Sequence, residues 1–168
     1  MPSFDFKRYN AILGWLSFAV ALATYVMTLE PTVSYWDCGE YIATSVKLEV
    51  GHPPGAPLFQ MMGAFFAMFT ADPERIAYMV NFMSALASAF TILFLFWTIT
   101  TLGKKAVIKT AGEISRNAGL AILGSGLVGA LAYTFSDSFW FSAVEAEVYA
   151  MSSFLMALLF WLALHWEA

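Results

Sequence analysis

Asp37, Glu40 and His52 fall in one stretch, SYWDCGEYIATSVKLEVGHPPGAPL (34–58), and two more acids, Glu145 and Glu147, stand far downstream. Carboxylates accept protons or hydrogen bonds and an imidazole can do either job, so the grouping is chemically capable. Spacing alone offers a structural account first. Asp37-Cys38-Gly39-Glu40 has the form of a capping box, with Asp37 accepting from the third helical residue and Glu40 reaching back. GHPPGAPL adds a second account: Pro53 and Pro54 between glycines predict an extended, rigid turn lacking two backbone donors. Such a turn can aim His52 back toward the loop carrying Asp37.

Glu145 and Glu147 sit at or just inside the start of a hydrophobic run, where an ionised carboxylate is costly unless it faces water, a partner or a metal. Two residues apart on a continuous helix they would diverge by about 200°. Either the helix begins after Glu147 or only one acid points inward. Complementarity to the helix dipole accounts for one glutamate. Phe139, Trp140, Phe141 and Tyr149 flank the pair; singly they read as membrane-interface anchors, and with two acids they favour a cavity.

The elements that must position these groups follow from composition. With 60% hydrophobic and 12% charged residues and a mean hydropathy of +0.70, the chain reads as an integral, all-α membrane protein. Its 168 residues allow about four spanning helices and no separate soluble domain. Nucleic acid is not an expected partner; the bilayer is. The single cysteine, Cys38, excludes an internal disulfide and a thiolate cluster and reads as a small packing residue.

Five apolar blocks compete for four crossings, and charge decides between them. If 58–71 does not cross, Lys7, Arg8, Lys104, Lys105, Lys109 and Arg116 share one side, the cytoplasmic one, with Lys47 and Arg75 outside among most of the acids. The predicted spans are therefore 11–29, 76–102, 118–135 and 147–166, with an outer loop 30–75 carrying interfacial helices over 39–50 and 58–71. Span 11–29 reads as an uncleaved signal anchor, because its apolar run continues past an A-x-A-like site.

Local signals mark the boundaries. Asp72-Pro73-Glu74 reads as a helix start, and Pro57 opens the short helix similarly. Ser125 with Gly129 and Gly126 with Ala130 predict a close-packing face. Asn81, Ser84 and Ser88 are expected to bond to neighbouring helices, Asn81 standing near enough to the outer end to line a cavity.

DCGEYIATSVKLEVGHPPGAPLF resembles the D-x-G-E and H-P-P-G-x-P-L-F signatures of a bacterial membrane family long catalogued as a domain of unknown function. That family is related to a eukaryotic transmembrane protein O-mannosyltransferase acting on plexin-type receptors. FWFSAVEAEVYAMSSF is similar to its next block, and the whole resembles the GT-C superfamily of membrane glycosyltransferases. The resemblance implies the N-terminal part of an inverting enzyme in the bacterial inner membrane, N-terminus cytoplasmic. Its donor would be a polyprenyl-phosphate sugar and its acceptor an extracytoplasmic protein or glycan hydroxyl. On that footing Asp37 is the catalytic base or acceptor orienter and Glu40 its support. His52, with the Pro53–Pro54 turn, and Arg75 would meet the donor phosphate; Asn81 and Tyr149 would line the substrate cavity. Glu145 and Glu147 stand where some relatives bind a divalent cation. The rival class is a non-enzymatic transporter or scaffold whose outer acids bind a cation or partner.

Overall fold

The computed structural model of the chain describes residues 4–111 and 114–166, and these are helical or irregular, with no strand among them. Seven α-helices follow one another: α1 (Phe6–Met27), α2 (Cys38–Lys47), α3 (Pro57–Ala67), α4 (Ile76–Ala111), α5 (Arg116–Thr134), α6 (Asp137–Ala143) and α7 (Val148–Trp166). Four of them, α1, α4 with its leading turn, α5 and α7, are long and apolar enough to cross a membrane. The all-α, four-span architecture agrees with the composition.

Each helix begins where side-chain chemistry permits. Asp5 accepts from the Arg8 amide to open α1, and Ser115 accepts from the Ala118 amide to open α5. Asp72 takes the Glu74 amide at 3.1 Å, with Pro73 following, but the element it caps is a 3₁₀ turn, Pro73–Arg75, that leads into α4. Pro57 stands in the first turn of α3. With 11 residues α3 is about 16 Å long, too short for a hydrocarbon core of roughly 30 Å.

Helix α4 is the hub. Most of its apolar length is buried, whereas little of α7 is fully buried. One apolar core gathers Ala21 and Tyr25 of α1, Ala85, Ala89, Ile92 and Phe96 of α4, Leu123 and Ala130 of α5, and Phe139 and Ala143 of α6. Small residues set the approach of α5 to α4. A Cβ on Gly126 would lie 2.7 Å from Thr100 and 2.9 Å from Phe96, so those side chains occupy the space that glycine leaves. Ala130 is buried on the same face, while Ser125 is exposed and bonds back to the Ala121 carbonyl. The Tyr25 hydroxyl donates to the Thr134 carbonyl at 3.1 Å and ties α1 to the end of α5.

Several boundaries differ from the sequence expectation. Helix α4 runs on to Ala111, and its 36 residues, about 54 Å, carry it well past the bilayer core. Helix α2 stops at Lys47, where Leu48 takes a left-handed conformation, φ 52°. Helix α6 was not anticipated. Ser84 and Ser88 are buried with no hydrogen-bond partner among the described residues, so they act as small packing residues instead of interhelical bonds. The Lys109 side chain lies outside the described residues.

Candidate functional site

The loop after α1 is held by α4. Asn81 is fully buried, and its amide donates to the Glu30 carbonyl at 2.8 Å and the Thr32 carbonyl at 2.9 Å. Its oxygen faces the Cys38 thiol at 3.9 Å, and the Glu30 amide donates to the Val144 carbonyl at 3.0 Å. The start of α2 is thereby fixed against the start of α4 and the turn before α7. Burial pushes the Cys38 thiol above its ordinary range, in keeping with a packing residue.

The expected capping box does not form. Asp37 has helical backbone angles and its side chain makes no cap bond. Glu40 turns instead to His52: one carboxylate oxygen accepts from the His52 amide at 2.6 Å and the other from ring Nδ1 at 2.9 Å. Two donors from a single residue outbid the one local amide that a box would offer. The GHPPG segment makes this possible as a tight turn in place of the extended one expected. The Gly55 amide donates to the His52 carbonyl at 2.9 Å, the Pro53–Pro54 peptide is cis, and Gly55 takes φ 80°, which a side chain would oppose.

His52 thus faces two acids, with Nε2 4.0 Å from the Asp37 carboxylate. The amide and ring bonds from His52 hold the Glu40 carboxyl below its ordinary value. The hydrogen bond and charge of Glu40, helped by the charge of Asp37, push the imidazole up. Asp37, Glu40 and His52 each place a ligand-type atom within 4.8 Å of the others.

Asp37 and His52 open onto a cavity of about 490 Å³, within the usual range for a small-molecule site. Asp37, Tyr41 and His52 form one wall, Pro54 to Phe59 a second, and Val148, Tyr149 and Ser152 of α7 a third. Of the expected site residues, Asp37, His52, Pro54 and Tyr149 meet here; Pro53 and Glu40 stand behind His52. Arg75 lies elsewhere, pairing with Asp72 at 3.7 Å beside Pro31 and Tyr78. Asn81 is a clamp on the loop and does not line the cavity. Tyr41 was missed, although it stands one turn after Asp37 and so on the same helix face. Its ring centroid lies 6.1 Å from that of His52 and 5.4 Å from that of Phe59.

Helix α7 begins after both downstream acids, so the helical geometry that would separate them does not apply. Glu145 is 2% exposed and Glu147 8% exposed. Burial raises both carboxyls; for Glu147 the charge of Glu145 and then that of Asp37 add to it. Ser34 bonds to the Glu145 side chain and the Val148 amide to that of Glu147. The second Glu145 oxygen is buried without a partner among the described residues. Binding a divalent cation here would require both carboxyls to lose their protons against the cost of burial, and no metal step is assigned to the pair.

Residues 37–168 match the family described as "Protein O-mannosyl-transferase TMEM260 N-terminal domain". The chain is 28% identical over 148 residues to "Protein O-mannosyl-transferase tmem260" of Dictyostelium discoideum, covering 88% of this chain and 16% of that protein. It is 30% identical over 162 residues to "Protein O-mannosyl-transferase TMEM260" of Mus musculus, covering 95% of this chain and 20% of that protein. It therefore spans a fifth or less of the length of these relatives. No solved structure matches. The family match opens on Asp37 and takes in the cavity and both buried glutamates, and by it this chain belongs to the TMEM260 N-terminal domain family.

Proposed function

We propose that this chain is the N-terminal part of a GT-C-type membrane glycosyltransferase that passes a sugar from a polyprenyl-phosphate donor to an acceptor hydroxyl on the extracytoplasmic side. The observation that carries it is the shared cavity of Asp37 and His52, at the acid-rich end of a four-span bundle. The two relatives named above are described as protein O-mannosyl-transferases, which favours mannose as the sugar and a protein as the acceptor. Nothing in their descriptions favours a transporter or scaffold.

The chemistry assigns one task to each group. As the acceptor oxygen bonds to the anomeric carbon, its proton passes to the Asp37 carboxylate, a transfer typically contributing 10²- to 10⁴-fold. The carbon–oxygen bond to the donor phosphate breaks on the opposite face, so configuration inverts and polyprenyl phosphate leaves as an anion. A protonated His52, held by Glu40, supplies positive charge toward that anion. Tyr41 and Tyr149 border the path by which a sugar would enter. No proton-transfer role is assigned to Glu145 or Glu147, whose burial pushes both carboxyls above their ordinary range.

The test is sugar transfer by the full-length protein in membranes, comparing Asp37→Asn with wild type at equal expression. The expected result is at least about a tenfold loss. Transfer near the wild-type rate would remove Asp37 from the reaction.

A further inference from the structure

The opposite end of the bundle holds a second cavity, of about 500 Å³, between α1, α4 and α7. Three lysines line it: Lys7 from the first turn of α1, and Lys104 and Lys105 from the part of α4 that runs past the bilayer core. Among the described residues no carboxylate lines it. Its inner wall is aromatic, with Trp97 and Trp161 5.5 Å apart by ring centroid and the His165 ring tilted against Trp161 at 4.4 Å. Lys105 donates to the Leu164 carbonyl at 3.0 Å, so its ammonium also serves the last turn of α7. Asn10 shares the lining, and its side-chain oxygen is buried with no hydrogen-bond partner among the described residues.

We propose that this cavity binds the headgroup of an anionic glycerophospholipid in the leaflet at the base-rich end. The assignment is independent of the sugar-transfer chemistry. Lysines at the ends of two helices place positive charge at headgroup depth, and basic pockets between spanning helices select anionic lipids there. Trp97, Ile108, Trp161 and Leu164 offer the apolar and amphipathic surface that the glycerol and upper acyl carbons require. Asn10 supplies an acceptor for a headgroup hydroxyl, a donor that a choline headgroup lacks.

The full-length protein is equilibrated with equal phosphatidylglycerol and phosphatidylcholine in detergent, and retained lipid is read by native mass spectrometry. Wild type is expected to retain phosphatidylglycerol preferentially. Lys7→Gln with Lys104→Gln should lower that retention at least tenfold, each lysine near an anionic surface being worth about fivefold. Arg116→Gln, which removes a charge at the same end but outside the cavity, should leave it unchanged. Lys7→Arg with Lys104→Arg keeps the charge and should keep the lipid, which provides the reading if the glutamine variant fails to fold. Equal retention of the two lipids, an equal loss in Arg116→Gln, or displacement by inorganic phosphate as readily as by added phosphatidylglycerol would each overturn the assignment.

Discussion

Asn81 carries a worked prediction, because its bonds to the outer loop are few and well defined. Its amide holds the Glu30 and Thr32 carbonyls at 2.8 and 2.9 Å, and Thr32 lies five residues before Asp37. Asn81→Asp keeps the shape but removes the amide: an ionised acid donates to neither carbonyl, and a protonated one to a single carbonyl. Each lost bond costs about 1 kcal/mol, and up to about 3 where the acceptor is left unsatisfied. Two bonds therefore amount to roughly 2 to 6 kcal/mol, and the lower figure already increases the undocked fraction of the loop about 30-fold.

Cys38 reports that fraction directly, because it is 0% exposed and sits against Asn81. In the full-length protein, maleimide labelling of Cys38, followed by peptide mass spectrometry, should accelerate about 30-fold in Asn81→Asp. Sugar transfer should fall in parallel, since the loop that orients Asp37 is then docked for less of the time. Asn81→Ala should be at least as severe, because it also leaves a cavity at a fully buried position. Labelling and transfer both at wild-type rates in Asn81→Asp would refute the clamp.

Three other outcomes follow from the same geometry. The His52 ring should titrate above 6.5 by NMR and return to its ordinary range in Glu40→Gln. Because its folded value is raised, the stability it contributes is complete below 6.5 and is lost as pH rises through the folded value; the lowered Glu40 contributes above 4.5 and fails only in more acid solution. Glu145→Gln with Glu147→Gln should lessen the fall of the thermal midpoint as pH rises above 4.5, since raised carboxyls destabilise the fold as they ionise, and should leave the His52 contribution in place. Gly63→Ala should cost about 1 to 3 kcal/mol, because its Cβ would stand 2.6 Å from Ser45 Oγ and 2.8 Å from Ser45 Cβ. Ser45→Gly in the same chain should recover most of that loss and Ser45→Ala little of it, as thermal midpoints would show.

Charge placement made the bundle legible. Putting six bases on one side forced 58–71 out of the membrane, and α3 is indeed too short to cross. Helix α6 escaped notice because seven residues give little periodicity, and DSFWFSA reads equally well as an aromatic interface loop. The capping box at Asp37 and Glu40 failed for a different reason. Its rule compares a carboxylate with amides within one turn, and the competing donors here come from His52, twelve residues on, delivered by a proline turn whose shape the local pattern did not give. Asn81 was visible as a polar residue in an apolar span, but which carbonyls it serves depends on where the loop returns.

That misplaced cap bears on the chemistry. Had Glu40 capped its own helix, His52 would have faced Asp37 alone, and a neutral imidazole offers little to a phosphate. With Glu40 accepting from both the amide and the ring of His52, the imidazole is held charged into a higher pH range and turned so that its remaining nitrogen faces Asp37 across 4.0 Å. On the proposed mechanism the two functions then sit on opposite sides of one gap: a carboxylate to take the acceptor proton and a cation to meet the departing phosphate. Glu145 and Glu147 complete the arrangement from behind. Were they ionised, they would repel the carboxylate of Asp37 and compete for the imidazolium; their burial raises both carboxyls and so works against that.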